Sequence, residues 1–201
     1  MFEDTFNTIE SHSQGVYRAK GSKFIALAIP VISEDEVKEK LLEIKKEYFD
    51  ARHHCYAYIL GYNKSAYRIN DDGEPSGTAG RPIYGQLLSK DLTNILVVVV
   101  RYFGGTKLGV GGLITAYKEA TKDALESAKI IEKTVDETYL VSLEYEQMNK
   151  VMQILKTDFV TITNQIYEDG YKIEFVIRKR EADRVVQDLK MISNVTVLSV
   201  N

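Results

Sequence analysis

Two hydrophobic periods alternate along the first two-thirds of the chain. Gly15–Gly21 (GVYRAKG) and Lys23–Val31 (KFIALAIPV) are rich in β-branched and aromatic residues and predict a pair of strands. The period then changes. Val37, Leu41, Ile44 and Tyr48 fall on one helical stripe, with Ser33 as the cap and Glu36 three residues later as in a capping box. His53–Gly61 and Ala66–Asn70 predict two further strands. Thr78 is expected to cap a short helix reaching about Ser89, with Pro82 in its first turn where a missing N–H costs little. Asn94–Phe103 contains the run ILVVVV, expected of a central strand covered on both faces. A long helix is predicted from about Val110 to Lys129, with Leu113, Ile114, Tyr117, Ala120, Ala124 and Ala128 as its buried stripe.

Near Lys133 glycines become scarce and the pattern reads β-α-β-β-α-β. The strands are Thr138–Tyr145, Phe159–Tyr167, Lys172–Lys179 and Asn194–Val200, and the helices are Gln147–Lys156 and Glu181–Met191. Asp169-Gly170 is the expected turn of the central hairpin. This is the ferredoxin-like order. The expected fold class is α+β in two domains, residues 1–132 and 133–201.

Composition narrows the class. An apolar fraction of 44% is that of a globular protein and argues against disorder. The longest apolar run, Ile95–Val100, is far short of the ~18–20 residues a membrane helix needs. The start, MFEDTFNTIE, lacks the basic and apolar segments of a signal peptide. A lone Cys55 excludes an internal disulfide framework. A cytoplasmic protein without membrane association is expected. The net charge is −3, yet residues 52–118 hold 8 Lys+Arg against 4 Asp+Glu. A basic region inside an acidic chain attracts phosphates locally.

That basic region also holds most of the glycine. Ten of 13 Gly lie between Gly61 and Gly112, in a stretch carrying three unusual blocks: RHHCYAY (Arg52–Tyr58), DDGEPSGTAGRP (Asp71–Pro82) and RYFGGTKLGVGGL (Arg101–Leu113). Clustered glycines imply tight turns or close approach of another group to the backbone. The third block leaves a strand and enters a helix, where free N–H groups receive an anion. It is not a P-loop, because Val110 stands where the motif needs Lys. It is not a dinucleotide fingerprint either, because Ile114 stands where the third Gly belongs. What remains is a general anion cradle near Arg81, Arg101 and Lys107, with SGTAGRP as a second helix start.

The same blocks offer other chemistry. Asp71, Asp72 and Glu74 offer oxygen ligands for a divalent ion, although a turn explains the same residues. His53 and His54 are adjacent on a strand and face opposite ways, so they do not clasp one metal. With only His12 besides and no second Cys, a closed zinc site lacks ligands. No metal and no cofactor are expected. Tyr56, Tyr58, Tyr67, Tyr84, Tyr102 and Phe103 accompany the cations and offer rings for base stacking or for the core.

The three blocks, in this order, resemble the IMPACT family, and the chain's size and second half are similar to its bacterial YigZ-type members. The resemblance implies an N-terminal domain like domain IV of elongation factor G and the second domain of a small-subunit ribosomal protein, with a left-handed βαβ crossover. It implies a C-terminal domain like domain V of the same factor. It further implies translation-linked binding and not known catalysis. Eukaryotic relatives restrain a starvation-activated kinase with the help of an extra N-terminal domain, which this chain is expected to lack. The residues matched are Arg52, His53, His54, Asp72, Glu74, Ser76, Gly77, Thr78, Arg81, Arg101, Tyr102, Gly104, Gly105, Lys107 and Gly109.

Three functions stay open at this point. One is a non-enzymatic module binding RNA, the ribosome or a ribosome-associated protein, without DNA specificity. Its anion-binding set would be Arg52, Ser76, Gly77, Thr78, Arg81, Arg101, Tyr102, Gly104, Gly105, Lys107 and Gly109. Another is a hydrolase, peptidase or phosphoesterase, which would use His53, His54, Asp71, Asp72 and Glu74. The last is a sensor of a phosphorylated small ligand.

Overall fold

The apolar run at Ile95–Tyr102 forms the middle strand of a five-stranded sheet, and its alternation builds two cores at once. The computed structural model describes residues 4–167 and 170–200, so Asp169 of the predicted hairpin turn lies outside the described residues. The chain divides into two compact units, Phe6–Lys133 and the remainder. The larger contains β1 (Thr5–Ile9), β2 (Ser13–Ala19), β3 (Ser22–Pro30), α1 (Glu34–Glu47), β4 (His53–Leu60), β5 (Ala66–Asn70), α2 (Gly80–Ser89), β6 (Ile95–Tyr102), α3 (Gly109–Glu126) and β7 (Ile130–Thr134). The sheet order is β2-β3-β6-β4-β5, antiparallel at every pairing. It follows that β3 and β4 run parallel on either side of β6, joined through α1.

Because side chains alternate along a strand, Ile95, Val97 and Val99 of β6 pack toward α2 and α3. Leu96, Val98 and Val100 share the other face with Val37 and Ile44 of α1. All six are fully buried, each contributing about 1.5–3 kcal/mol over an exposed side chain. Small residues let α3 settle close to the sheet. A Cβ on Gly15 would stand 2.2 Å from the backbone nitrogen of Ala124.

The first helix starts as its sequence predicts: the Ser33 hydroxyl accepts from the Glu36 N–H, and the Glu36 carboxylate accepts from the Ile32 N–H. Other expectations need correction. Thr78 does not cap α2. Its hydroxyl donates to the Pro75 carbonyl, and the helix begins two residues later at Gly80. Ile114 is 39% exposed and does not belong to the buried stripe of α3. That helix ends at Glu126, and β1 and β7 form a two-stranded ribbon that the sequence pattern did not suggest.

The second unit contains β8 (Asp136–Leu143), a 3-10 turn (Tyr145–Gln147), α4 (Met148–Leu155), β9 (Val160–Ile166), β10 (Tyr171–Arg178), α5 (Lys179–Lys190) and β11 (Thr196–Val200). Its sheet order is β11-β8-β10-β9, antiparallel throughout. Val141, Phe175, Ile177, Val151, Leu155, Val185 and Leu189 fill the space between this sheet and its two helices. Asp4 and Thr5, the first residue of β1, group with this unit, while the rest of β1 belongs to the larger one. There the Asp4 carboxylate accepts two hydrogen bonds from the Arg178 guanidinium, which holds it below the usual carboxylate range. Among the described residues no helix is long and apolar enough to cross a membrane.

Candidate anion-binding site

The middle block turns its acids inward. One oxygen of Asp71 accepts from the N–H groups of Ala79 and Gly80, at 3.0 and 2.8 Å. The other oxygen accepts from the Gly77 N–H at 2.8 Å. So the start of α2, read from sequence as a second anion receptor, is closed by a carboxylate of the chain itself. Asp72, with a positive φ of 41°, accepts from the His54 N–H at 2.7 Å. Glu74 has a side chain only 4% exposed and accepts from the Arg101 guanidinium at 2.5 Å and from the Tyr117 hydroxyl at 2.8 Å. The three carboxylates therefore engage three separate sets of donors. Among the described residues no group of three His, Cys, Asp or Glu side chains could hold a metal ion.

The two histidines part as strand alternation requires. His53 Nδ1 lies 2.7 Å from the Asp72 carbonyl. A carbonyl only accepts, so Nδ1 carries the hydrogen and Nε2 is left 3.9 Å from Glu74. His54 is buried, with Nε2 3.0 Å from the Tyr48 carbonyl. Cys55 lies beneath the acids, its sulfur 3.0 Å from the Asp71 carbonyl and 3.3 Å from the Tyr117 hydroxyl. Burial pushes both that thiol and the Tyr117 hydroxyl well above their ordinary pKa values. A thiol held protonated is not a nucleophile.

The third block divides between inside and outside. Arg101 is buried in its ion pair with Glu74 and is not a surface cation. Tyr102 points to the α1 layer, where its hydroxyl donates to Asp50. Gly104 is glycine because a Cβ there would stand 1.9 Å from the Gly21 carbonyl carbon. From Phe103 to Lys107 every residue is exposed. The Phe103 ring lies 5.9 Å from the Arg52 guanidinium and 5.5 Å from that of Arg101. α3 then begins at Gly109 with no side-chain cap on its first turn among the described residues.

A cavity of about 410 Å³ opens where the blocks meet. Of the residues singled out from sequence as site candidates, Arg52, His53, Glu74, Arg101, Lys107 and Gly109 line it, together with Phe103 from the accompanying rings. Ser76, Gly77, Thr78, Arg81, Tyr102, Gly104, Gly105, His54, Asp71 and Asp72 are not among its lining residues. Arg81 is exposed elsewhere on the same unit. Sequence reasoning missed Val110 and Leu113 as walls, and missed Tyr117 as the partner of Glu74. No spacing rule signals the last, since 43 positions separate the two residues. With Glu74 neutralised by Arg101, the exposed cations Arg52 and Lys107 leave the opening positive.

Residues 20–125 match the Impact N-terminal domain. The chain is 33% identical to the IMPACT family member YvyE of Bacillus subtilis over 86% of its own length and 80% of that protein. It is 35% identical to the IMPACT family member YigZ of Escherichia coli, over 76% of each. A crystal structure described as that of a hypothetical protein is 28% identical and superimposes with a TM-score of 0.76, covering 100% of this chain and 99% of that one. By domain match and by identity over most of its length, the chain belongs to the IMPACT family.

Proposed function

We propose that the chain is a non-catalytic, translation-linked regulatory protein of the cytoplasm. It binds RNA, the ribosome or a ribosome-associated protein through the surface around this cavity. The observation that carries the reading is the convergence of Arg52, Lys107 and the uncapped start of α3 on one opening. Arg52 and Lys107 contact phosphate, and Phe103 offers an aromatic ring beside them. Arg101 supports the site from below. The acids a hydrolase would use are already committed to Arg101, to Tyr117 and to backbone N–H groups, which favours binding over hydrolysis.

The proposal extends to the fold. Under it the larger unit is like domain IV of elongation factor G, its left-handed crossover being β3-α1-β4, and the second unit is like domain V. The parallel placement of β3 and β4 and the β-α-β-β-α-β order support this reading.

Ribosome pelleting through a sucrose cushion tests the function. A folded R52E/K107E variant is expected to stay in the supernatant while the wild type sediments. For single-stranded RNA, the slope of log K against log salt should become shallower by about 1.4, roughly 0.7 for each lost phosphate contact. Sedimentation of the double variant at the wild-type level would overturn the proposal.

A further inference from the structure

We infer that the cavity is a receptor for a terminal phosphate monoester borne on an aromatic base. Such a group is found at the phosphorylated end of an RNA strand or in a free nucleoside monophosphate. The inference rests on the reading of this surface as a phosphate-binding one.

Two independent observations point to a ligand. α3 is an 18-residue helix whose first residues, Gly109 and Val110, line the cavity and whose first turn no side chain caps among the described residues. Such an end attracts an anion through its free N–H groups and its dipole. Separately, Arg101 lines the same cavity at 6% exposure, and among the described residues its side chain hydrogen-bonds only through Nη1, to Glu74, which leaves Nη2 without a hydrogen-bond partner. Native proteins rarely leave a buried guanidinium nitrogen unpaired. Lys107 and Arg52, both exposed, form no salt bridge among the described residues and stand at the rim.

Shape and charge select the class of anion. A volume of about 410 Å³ suits one small ligand and not a strand running through a groove. An internal phosphodiester has a nucleotide on each side, and the cavity has room for one; a chain end has only one. A phosphate monoester carries roughly −1.5 to −2 at neutral pH, where a diester carries one charge. Once Arg101 is balanced by Glu74, Arg52 and Lys107 supply two matching positive charges. Phe103, 43% exposed with the Arg52 and Arg101 guanidiniums over its ring, forms with them an aromatic and cationic surface against which the attached base packs.

Labelled ten-nucleotide RNAs that differ only in a terminal phosphate or hydroxyl, at the 5′ or the 3′ end, are titrated by fluorescence anisotropy. AMP is titrated by calorimetry against the same protein. At least tenfold tighter binding of one phosphorylated end is expected. Val110 is 60% exposed on the first turn of α3, so V110D folds and places a carboxylate where the phosphate would sit. It should abolish the preference, and V110N should keep it; circular dichroism melts confirm that both variants fold. Equal binding of phosphate and hydroxyl ends overturns the inference and leaves RNA binding intact. AMP binding without binding of any RNA supports the receptor and overturns RNA as the partner of this surface. A preference that survives V110D, or binding of neither AMP nor a phosphorylated strand, overturns the inference.

Discussion

Two helices of the larger unit start from glycine-rich loops, and they resolve the same electrostatic problem in opposite ways. At α2 the free N–H groups are met by Asp71, a carboxylate from the chain's own turn. At α3 no side chain among the described residues meets them, and the first turn borders an open cavity beside Lys107. Glycine content and position after a loop are alike in the two, so neither feature marks a binding site. What distinguishes them is whether the fold itself provides the anion. The middle block supplies interior carboxylates, and the third block supplies an exposed rim.

The sharpest way to break this division is to remove the interior charge on which it rests. Glu74 and Arg101 have side chains 4% and 7% exposed, so truncating the acid strands a buried guanidinium. E74A is expected to lose about 3–5 kcal/mol in urea unfolding. E74Q keeps an acceptor for Tyr117 and should lose less. A loss below about 1 kcal/mol for E74A would mean the pair is not a buried one in solution. The next effect is at α2. D71A removes the acceptor of three backbone N–H groups and should cost about 2–3 kcal/mol, with D71N intermediate. D71A also makes α2 resemble α3. Sulfate should then raise the melting temperature of the variant more than that of the wild type. An identical sulfate response in the two proteins would contradict the claim that Asp71 is what closes this helix start.

The contrast was only partly legible in the sequence, and the reason is the range of each interaction. Period-2 and period-3.6 patterns report contacts with one neighbouring layer, so the central strand, the Ser33–Glu36 cap and the β-α-β-β-α-β half were readable. The ribbon of β1 and β7 was not, because TFNTI and IIEKT have neither pattern, and β7 is mostly exposed. Thr78 was the natural local choice for a cap. Asp71 displaced it from eight positions upstream of Ala79, brought there by a turn whose geometry depends on the positive φ of Asp72 and Gly73. Arg101 read as a surface cation because its partner Glu74 is 27 residues away. Of the candidate site residues, Arg52, His53, Glu74, Arg101, Lys107 and Gly109 line the cavity and ten others do not. Which of them are free to bind could not be known without the long-range pairs.

The smallest expected effect probes why α3 begins with glycine at all. Gly104 is explained by its close approach to Gly21, and Gly109 by its φ of +75°. Gly111 has neither reason. It sits in the first turn of the helix, its φ is not in the left-handed region, and a Cβ added there would meet nothing within 4 Å. On folding grounds alone, alanine is the better residue. G111A should stabilise the chain by about 0.5–1 kcal/mol. If the open surface exists so that a partner can approach this backbone, the same methyl should weaken RNA or ribosome binding several-fold. A variant that melts higher yet binds less would separate the requirements of folding from those of docking at one position. A variant that melts higher and binds as the wild type does would show that the partner does not approach this turn, and the contact would then have to lie on the Lys107 and Arg52 side of the opening.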